Sequence, residues 1–210
     1  MLRRRRRPPV LAEIPGPRGE EARPGSLSRS ELEAFGALLS AVRDSRAVLA
    51  TGEEAKSSLA LGLATAAAVE GRRAALVECD LASPTLAARL GLAAAPGLHE
   101  YLREEAEAPQ ILQSLVLAGP ASGHAAAPLV CVTAGTPSPD GPALLASQGF
   151  QHAIAKLRSA YDLLVLDGPP LEDPALPAAA AQADGTLVCA SRSEIPGKFP
   201  VPVMGFALRD

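Results

Sequence analysis

Aromatic side chains are scarce in this sequence. The 210 residues include no tryptophan, two tyrosines and four phenylalanines. Proteins that bind single-stranded nucleic acid stack the bases on aromatic rings, so we expect no nucleic-acid partner. The uninterrupted basic run Arg3–Arg7 leaves three interpretations open: the cytoplasmic flank of a membrane-spanning partner region, a nucleic-acid patch, or a solvated and disordered start.

Cysteine and histidine are also rare, and neither forms a recognisable cluster. The three cysteines, none of them in a CxxC pair, are Cys79, Cys131 and Cys189. Each falls in a predicted strand, which indicates a reduced, buried thiol and argues against a zinc site. The three histidines are scattered, with no spacing typical of a catalytic triad. We therefore expect a protein of a reducing compartment without disulfide bonds.

Long hydrophobic runs are missing. No apolar run approaches the roughly 18 to 20 residues that a membrane-spanning helix needs. Pro8, Pro9 and Glu13 follow the arginine run where a signal peptide would carry its apolar segment. These absences predict a cytoplasmic chain that does not cross a membrane, with the inner face of the cell membrane as a second location left open.

What the chain does contain is typical of one globular domain. Apolar residues make up 48%, charged residues 20%, and the net charge is −3, and 210 residues suffice for a complete hydrophobic core. Residues 1–28 are rich in Arg, Pro, Gly and Glu and predict a flexible leader, followed by a domain over 29–210. Ser28 or Ser30 is the expected N-cap of the first helix.

Short apolar runs alternate with helical stretches through the rest of the chain. The predicted strands are Arg46–Ala50, Arg73–Glu78, Leu129–Thr133, Asp162–Leu166 and Thr186–Ala190. The predicted helices are Lys56–Glu70, Ala108–Leu115, Pro142–Ala160 and Pro174–Gln182. This alternation predicts an α/β fold with a doubly wound, mainly parallel sheet and helices on both faces. In such folds ligands bind beyond the carboxyl ends of the strands.

A candidate phosphate-binding loop (P-loop) follows the first of these strands. Its residues are Gly52, Glu53, Glu54, Ala55, Lys56, Ser57 and Ser58. In a P-loop, glycines let backbone N–H groups surround the phosphates, the lysine contacts the β and γ oxygens, and the next Ser or Thr binds Mg²⁺. Lys56 and Ser57 have this order, whereas Ala55 replaces the usual glycine and the two glutamates add negative charge. A solvated lysine in the first turn of a helix is the alternative.

Acidic residues follow two further strands. Glu78 and Asp80 come at the end of the second predicted strand, and Asp167 comes at the end of the fourth. Taken singly, each aspartate is more often a helix cap or a turn former. Because the ends of parallel strands meet at one edge of a sheet, we expect Lys56, Ser57, Asp80 and Asp167 to converge. A lysine, a hydroxyl and carboxylates are the parts that phosphoryl transfer requires.

Other motifs keep a definite order along the chain. They are Val10–Pro15, Glu33–Phe35, Asp80–Pro84, Gly91–Leu92, Gly97–Leu102, Ala134–Pro137, Leu144–Ser147 and Tyr161–Pro170. Together with the loop, they resemble the bacterial tyrosine kinases of capsule and exopolysaccharide synthesis, which belong to the MinD/ParA-like branch of P-loop ATPases. The resemblance extends over roughly residues 10–191.

This resemblance implies a P-loop NTPase-like kinase domain with an ATP and Mg²⁺ site. Residues Gly52 to Ser58 would bind the nucleotide, and Ser57, Asp80 and Asp167 would hold the metal. The implied catalytic residues are Lys56, Glu78, Asp80 and Asp167. The implied partner is a membrane polysaccharide co-polymerase that activates the kinase, and a homo-oligomeric state stays open.

The chain also departs from the family pattern. Glu78 stands in place of the first aspartate of an Asp-x-Asp-x-Arg motif, and Ala82 stands in place of its arginine. The final helix and the tyrosine-rich tail are missing, and Arg209 occupies the place of an expected adenine-side asparagine. The remaining tyrosines, Tyr101 and Tyr161, are predicted to be packing residues. Two alternatives therefore remain, an inactive family member that serves as an interaction module and a MinD/ParA-type ATPase.

Overall fold

The structure is a computed structural model that describes residues 8–15, 27–53, 55–117, 127–191, 193, 195 and 198–209. The arginine run Arg3–Arg7 and the loop residue Glu54 lie outside the described residues. No helix in the described ranges is both long enough and apolar enough to span a membrane.

One mainly parallel sheet runs through the described part of the chain. Its strands are β1 (Val10–Ile14), β2 (Ala47–Gly52), β3 (Ala74–Glu78), β4 (Gln113–Leu115), β5 (Leu129–Val132), β6 (Leu163–Asp167), β7 (Gly185–Ala190) and β8 (Gly205–Arg209). The order across the sheet is β1-β8-β7-β2-β6-β3-β5-β4. All neighbours are parallel except β4, which pairs antiparallel with β5. The predicted doubly wound α/β fold is confirmed.

Helices cover both faces of this sheet. They are α1 (Arg29–Ala41), α2 (Lys56–Val69), α3 (Leu86–Leu90), α4 (Leu98–Leu102), α5 (Ala108–Ile111), α6 (Gly141–Leu145), α7 (Gln148–Ala160) and α8 (Leu176–Ala180). Phe35 of α1 and Leu63 of α2 belong to the core on one face, and Phe150 of α7 and Leu176 of α8 belong to the core on the other. The central strands are fully buried, which explains why their sequences are apolar without alternation.

Local sequence signals account for the first two helices. Ser28 accepts a hydrogen bond from the Glu31 N–H at 3.3 Å, and Glu31 accepts one from the Ser28 N–H at 2.8 Å, which forms a capping box. The prediction of Ser28 as the N-cap is therefore confirmed. On α2, a side chain at Gly62 would collide with the Phe35 ring. The glycine allows α1 and α2 to pack closely.

Three elements differ from the sequence-based expectation. Val10–Ile14, assigned to the flexible leader, forms the edge strand β1 and pairs with β8. The helix predicted over 108–115 ends at Ile111, because Gln113–Leu115 pairs with β5 as β4. The long helix predicted over 142–160 is two helices, since Ser147 caps a new one by accepting a hydrogen bond from the Phe150 N–H at 3.2 Å.

The last connection of the sheet joins β7 to β8. The described residues between β7 and β8 contain no helix, and β8 pairs directly with β7. Arg209 ends β8, in register with Ile14. Tyr101 and Tyr161 pack against the second core, as predicted for structural tyrosines.

Candidate nucleotide-binding site

Charged side chains meet where β2, β6 and β3 end side by side. The Lys56 Nζ lies 2.9 Å from Asp80 Oδ2 and 4.0 Å from Asp167 Oδ1. The side chains are 11%, 5% and 1% exposed, respectively. The structure thus brings together the lysine and the two aspartates that the sequence placed at different strand ends. Their convergence follows from the parallel topology, in which Asp167 lies on the strand between the other two.

Asp167 is the most unusual member of this group. It is fully buried, and neither carboxylate oxygen has a hydrogen-bond partner among the described residues. Burial raises the pKa of Asp167 to about 6, with Glu78 and Asp80 adding to the rise and the Lys56 charge and the Ser57 hydroxyl opposing it. The Ser57 hydroxyl lowers the pKa of Asp167 by its nearness, although no hydrogen bond of good geometry joins the two groups. A buried carboxylate without a hydrogen-bond partner indicates a place where a ligand binds.

Ser57 lies beside the aspartates at the start of α2. The residue is 6% exposed, and its Oγ is 3.4 Å from Thr85 Oγ1. Asp80 also fixes the loop that follows β3, because its Oδ1 accepts a hydrogen bond from the Ser83 N–H at 3.0 Å. The Ser57 hydroxyl thus lies next to Lys56 in the chain, and Lys56 contacts both carboxylates.

The loop that leads to Lys56 has P-loop backbone features. Gly52 has φ +152°, and a Cβ there would collide with the Cys189 carbonyl oxygen, so only glycine fits. Ala55 has φ +56° and ψ +11°, the left-handed conformation for which glycine is usual. Thr51 holds the base of the loop by donating to the Pro169 carbonyl at 2.7 Å.

The loop has the length of a full P-loop but lacks both of its glycines. Counted back from Lys56, the motif G-x-x-x-x-G-K-[ST] puts its glycines at positions 50 and 55, and both are alanine here. The one glycine of the loop, Gly52, stands between them. Glu53 is exposed on this loop, where its charge opposes an anionic ligand.

Glu78 has contacts of another kind. The residue is 1% exposed, and its carboxylate accepts hydrogen bonds from the backbone N–H groups of Thr85, Leu86 (2.8 Å) and Ala134 (3.0 Å). These bonds engage both oxygens and hold the start of α3 and the end of β5. The contacts therefore favour a positioning role for Glu78 over the catalytic role expected from the sequence.

Cys79, between the two acidic residues, is chemically quiet. Burial, followed by the charges of Asp167 and Glu78, raises the pKa of its thiol well above the ordinary value. The thiol stays protonated and contacts the Val77 carbonyl at 3.7 Å. All three cysteines are buried, as predicted.

Two residues near the loop were not predicted from the sequence. Thr85 contacts Ser57, and the Arg89 Nη2 donates to Ser58 Oγ at 2.8 Å. Both belong to the segment of α3 and its N-cap, so their nearness to α2 depends on tertiary packing. Nothing in the local sequence signals it.

The site suits a metal bound together with phosphates. Among the described residues, no group of three or more His, Cys, Asp or Glu side chains could hold a metal ion. Mg²⁺ is usually held by one or two carboxylates together with substrate phosphates. Asp80, Asp167 and the Ser57 hydroxyl provide such a donor set, and the unpaired oxygens of Asp167 fit it.

Comparison with solved structures assigns the fold. The BceF tyrosine kinase domain superposes with a TM-score of 0.77 and 21% identity, over 96% of this chain and 93% of that chain. The kinase domain of the Escherichia coli tyrosine kinase ETK gives 0.79 and 19%, over 95% and 89%. The chain has the fold of these bacterial tyrosine kinase domains. No family model and no curated protein matches its sequence.

A more distant neighbour was solved with a nucleotide. The septum site-determining protein MinD from Pyrococcus horikoshii, complexed with Mg-ADP, gives a TM-score of 0.53 and 17% identity, over 68% of this chain and 56% of that chain. The fold is therefore closer to the kinase domains than to this MinD.

Proposed function

We propose that this chain is a tyrosine-kinase-like P-loop domain that binds ATP with Mg²⁺ and acts in the regulation of capsule or exopolysaccharide biosynthesis. Its partner would be a membrane polysaccharide co-polymerase. One observation carries the nucleotide part of the proposal. The buried carboxylate of Asp167 has no hydrogen-bond partner among the described residues and lies 4.0 Å from Lys56 in the first turn of α2. The fold shared with tyrosine kinase domains supports the reaction class.

The residues divide the work of such a site. The N–H groups at the start of α2 and the Lys56 ammonium would bind phosphate oxygens. Ser57, Asp80 and Asp167 would hold the metal, whose bound charge offsets the negative charge that builds up on the transferred phosphoryl group. In the absence of ligand Lys56 balances the aspartates. On binding, Lys56 exchanges Asp80 for phosphate oxygens and so draws the γ-phosphoryl toward the carboxylates.

A second candidate, a non-catalytic interaction module, rests on the loop itself. Ala55 has a positive φ without being glycine, and Ala50 replaces the first glycine of the motif. Glu53 adds an exposed negative charge where phosphates would enter. These features weaken phosphate binding by strain and by repulsion.

Nucleotide binding by the full chain separates the candidates. We expect ATP with Mg²⁺ to raise the melting temperature, because a ligand that binds only the folded state stabilises it. Lys56→Met should abolish the shift. Lys156→Met is the matched control, since Lys156 is exposed on α7. Absence of any shift at millimolar ATP and Mg²⁺ would contradict the nucleotide proposal and favour the interaction module.

Phosphotyrosine formation tests the reaction class. The purified chain is incubated with ATP and Mg²⁺, alone and with a cytoplasmic activator segment of a polysaccharide co-polymerase. Phosphotyrosine that depends on Lys56 supports a kinase. Binding without phosphotyrosine supports a nucleotide-binding interaction module instead. The variant Glu54→Gly with Ala55→Gly then asks whether loop chemistry limits the reaction, because it restores glycine and removes one charge.

A further inference from the structure

A guanidinium group lies beside the first turn of α2. Arg89 Nη2 donates to Ser58 Oγ at 2.8 Å, and Ser58 is the third residue of the helix that Lys56 begins. Arg89 is otherwise exposed and forms no ion pair with any described residue. A charged group that meets only a neutral hydroxyl at this place is available for an anionic ligand.

The position of Arg89 is fixed by buried contacts. Leu86 and Leu90, on the same short helix, are 1% and 5% exposed and belong to the core that α2 also lines. The Glu78 carboxylate holds the first turn of that helix through the Thr85 and Leu86 N–H groups. The stem of Arg89 therefore starts from a packed helix. Less conformational entropy is lost when such a group binds a ligand.

The charges around the first turn of α2 call for a second cation. Lys56 is already shared between Asp80 at 2.9 Å and Asp167 at 4.0 Å, and Glu53 is exposed on the loop. Even with Mg²⁺ held by the two aspartates, a nucleoside triphosphate brings more negative charge than the metal and Lys56 balance. An arginine near the same N–H groups restores the balance, and its planar fork can donate two parallel hydrogen bonds to one phosphate.

We propose that Arg89 is a second phosphate-binding residue of this site, whose guanidinium exchanges Ser58 Oγ for the oxygens of a phosphate seated at the start of α2. The inference rests on the proposed nucleotide function. Two independent observations place a ligand at this helix start: the Arg89 contact, and the buried Asp167 carboxylate, which faces Lys56 and has no hydrogen-bond partner in the described ranges. The ligand class is a nucleoside di- or triphosphate, or the polyphosphate part of one.

The test compares binding of three probes to the full chain by isothermal titration. The probes are ATP with Mg²⁺, tripolyphosphate with Mg²⁺, and adenosine. The variants are Arg89→Gln and Arg89→Lys. The control is Arg43→Gln, since Arg43 is an exposed arginine at the amino end of β2, opposite the loop.

We expect Arg89→Gln to weaken the binding of ATP and of tripolyphosphate about tenfold, because a charge-assisted hydrogen bond at a partly solvated position is lost. Adenosine binding should not change. The affinity of Arg89→Lys for the two anions should lie between those of the parent and of Arg89→Gln, because an ammonium group keeps the charge but lacks the planar fork. The Arg43→Gln chain should bind all three probes as the parent does.

The outcomes separate the two proposals. If the parent binds ATP and Arg89→Gln binds it equally well, the role of Arg89 is overturned and the nucleotide function stands. If the binding of tripolyphosphate depends on Arg89 and ATP binds no more tightly than tripolyphosphate, the role of Arg89 is supported and the nucleotide function fails. If the parent binds neither anion, both are overturned.

Discussion

Lys56 and Asp80 form an ion pair of 2.9 Å in which the two side chains are only 11% and 5% exposed. Asp167 is a second carboxylate near the Lys56 ammonium group, so one cation is shared by two buried anions. The pair therefore balances the site in the absence of ligand, and it joins α2 to the end of β3.

Removing Lys56 alone should be costly for folding. We expect Lys56→Met to lower the free energy of unfolding by about 3 kcal/mol, since it leaves two buried carboxylates without a cation. The double variant Lys56→Met with Asp80→Asn should regain at least half of that loss. Urea unfolding of the four chains in the cycle measures the coupling, and strictly additive effects would contradict a shared ion pair.

Replacing Ala55 by glycine should stabilise the protein. Because Ala55 has φ +56°, relief of left-handed strain of roughly 1–2 kcal/mol should exceed the added entropy loss of glycine of roughly 0.5–1 kcal/mol. Ala55→Gly should thus raise the free energy of unfolding by about 0.5 kcal/mol. Ala155→Gly on the exposed face of α7 is the control, with an expected loss of about 1 kcal/mol. Equal losses in both variants would refute the strain at Ala55.

Glu78 should behave as a structural anchor. Glu78→Gln replaces one acceptor oxygen by an NH₂ group that faces backbone N–H donors, so we expect a loss of about 2 kcal/mol in the free energy of unfolding. Hydrogen exchange of the Thr85 and Leu86 amides should speed up more than exchange in α7. A stable Glu78→Gln chain with unchanged exchange would instead leave Glu78 free for chemistry.

Asp167 should destabilise the ligand-free protein at neutral pH. Its pKa is about 6 in the folded state, against an ordinary value of 3.8 for an unfolded chain, so the native state holds the proton more tightly. The contribution of this group to stability is then highest below pH 4 and declines as the pH rises to 6. In metal-free buffer, Asp167→Asn should be more stable than the parent by on the order of 2 kcal/mol at pH 7. The gap should nearly vanish at pH 4, and a gap that does not depend on pH would argue against this titration.

Glu100 should show the opposite dependence. Burial alone would raise its pKa, but hydrogen bonds from Thr136 and from the Gly97 N–H lower it to about 2. A lowered pKa adds stability above the unfolded value of 4.5 that is lost as the pH falls toward 2. Because solvent reaches this segment, we expect Glu100→Gln to cost only about 1–2 kcal/mol at pH 7. Urea unfolding at pH 7 and pH 3 should show the difference shrinking at the lower pH.

The sequence predicted the centre of the fold better than its edges. The strands β2, β3, β5, β6 and β7 are apolar because they are buried between two helical layers. The edge strands β1 and β4 are short and of mixed polarity, so the residue pattern did not predict them. The short helices α3 and α4 also escaped, since five residues carry little periodicity.

The same division applies to the candidate site. The meeting of Lys56 with Asp80 and Asp167 follows from strand order and the parallel topology, which the sequence pattern predicts. The backbone bonds of Glu78 and the nearness of Arg89 to Ser58 depend on how α3 packs against α2. Such contacts require coordinates, because no local signal distinguishes a carboxylate that anchors a helix from one that faces a ligand.

Strand β1 runs parallel to β8 and so points the same way as the strands that carry the site. Its first residue, Val10, therefore lies toward the rim opposite Lys56. A fluorophore or a lipid tether attached to a cysteine introduced by Pro8→Cys would leave the molecule on that far side. The domain could then be held on a supported bilayer or a sensor chip with its phosphate-binding loop open to the surrounding solution.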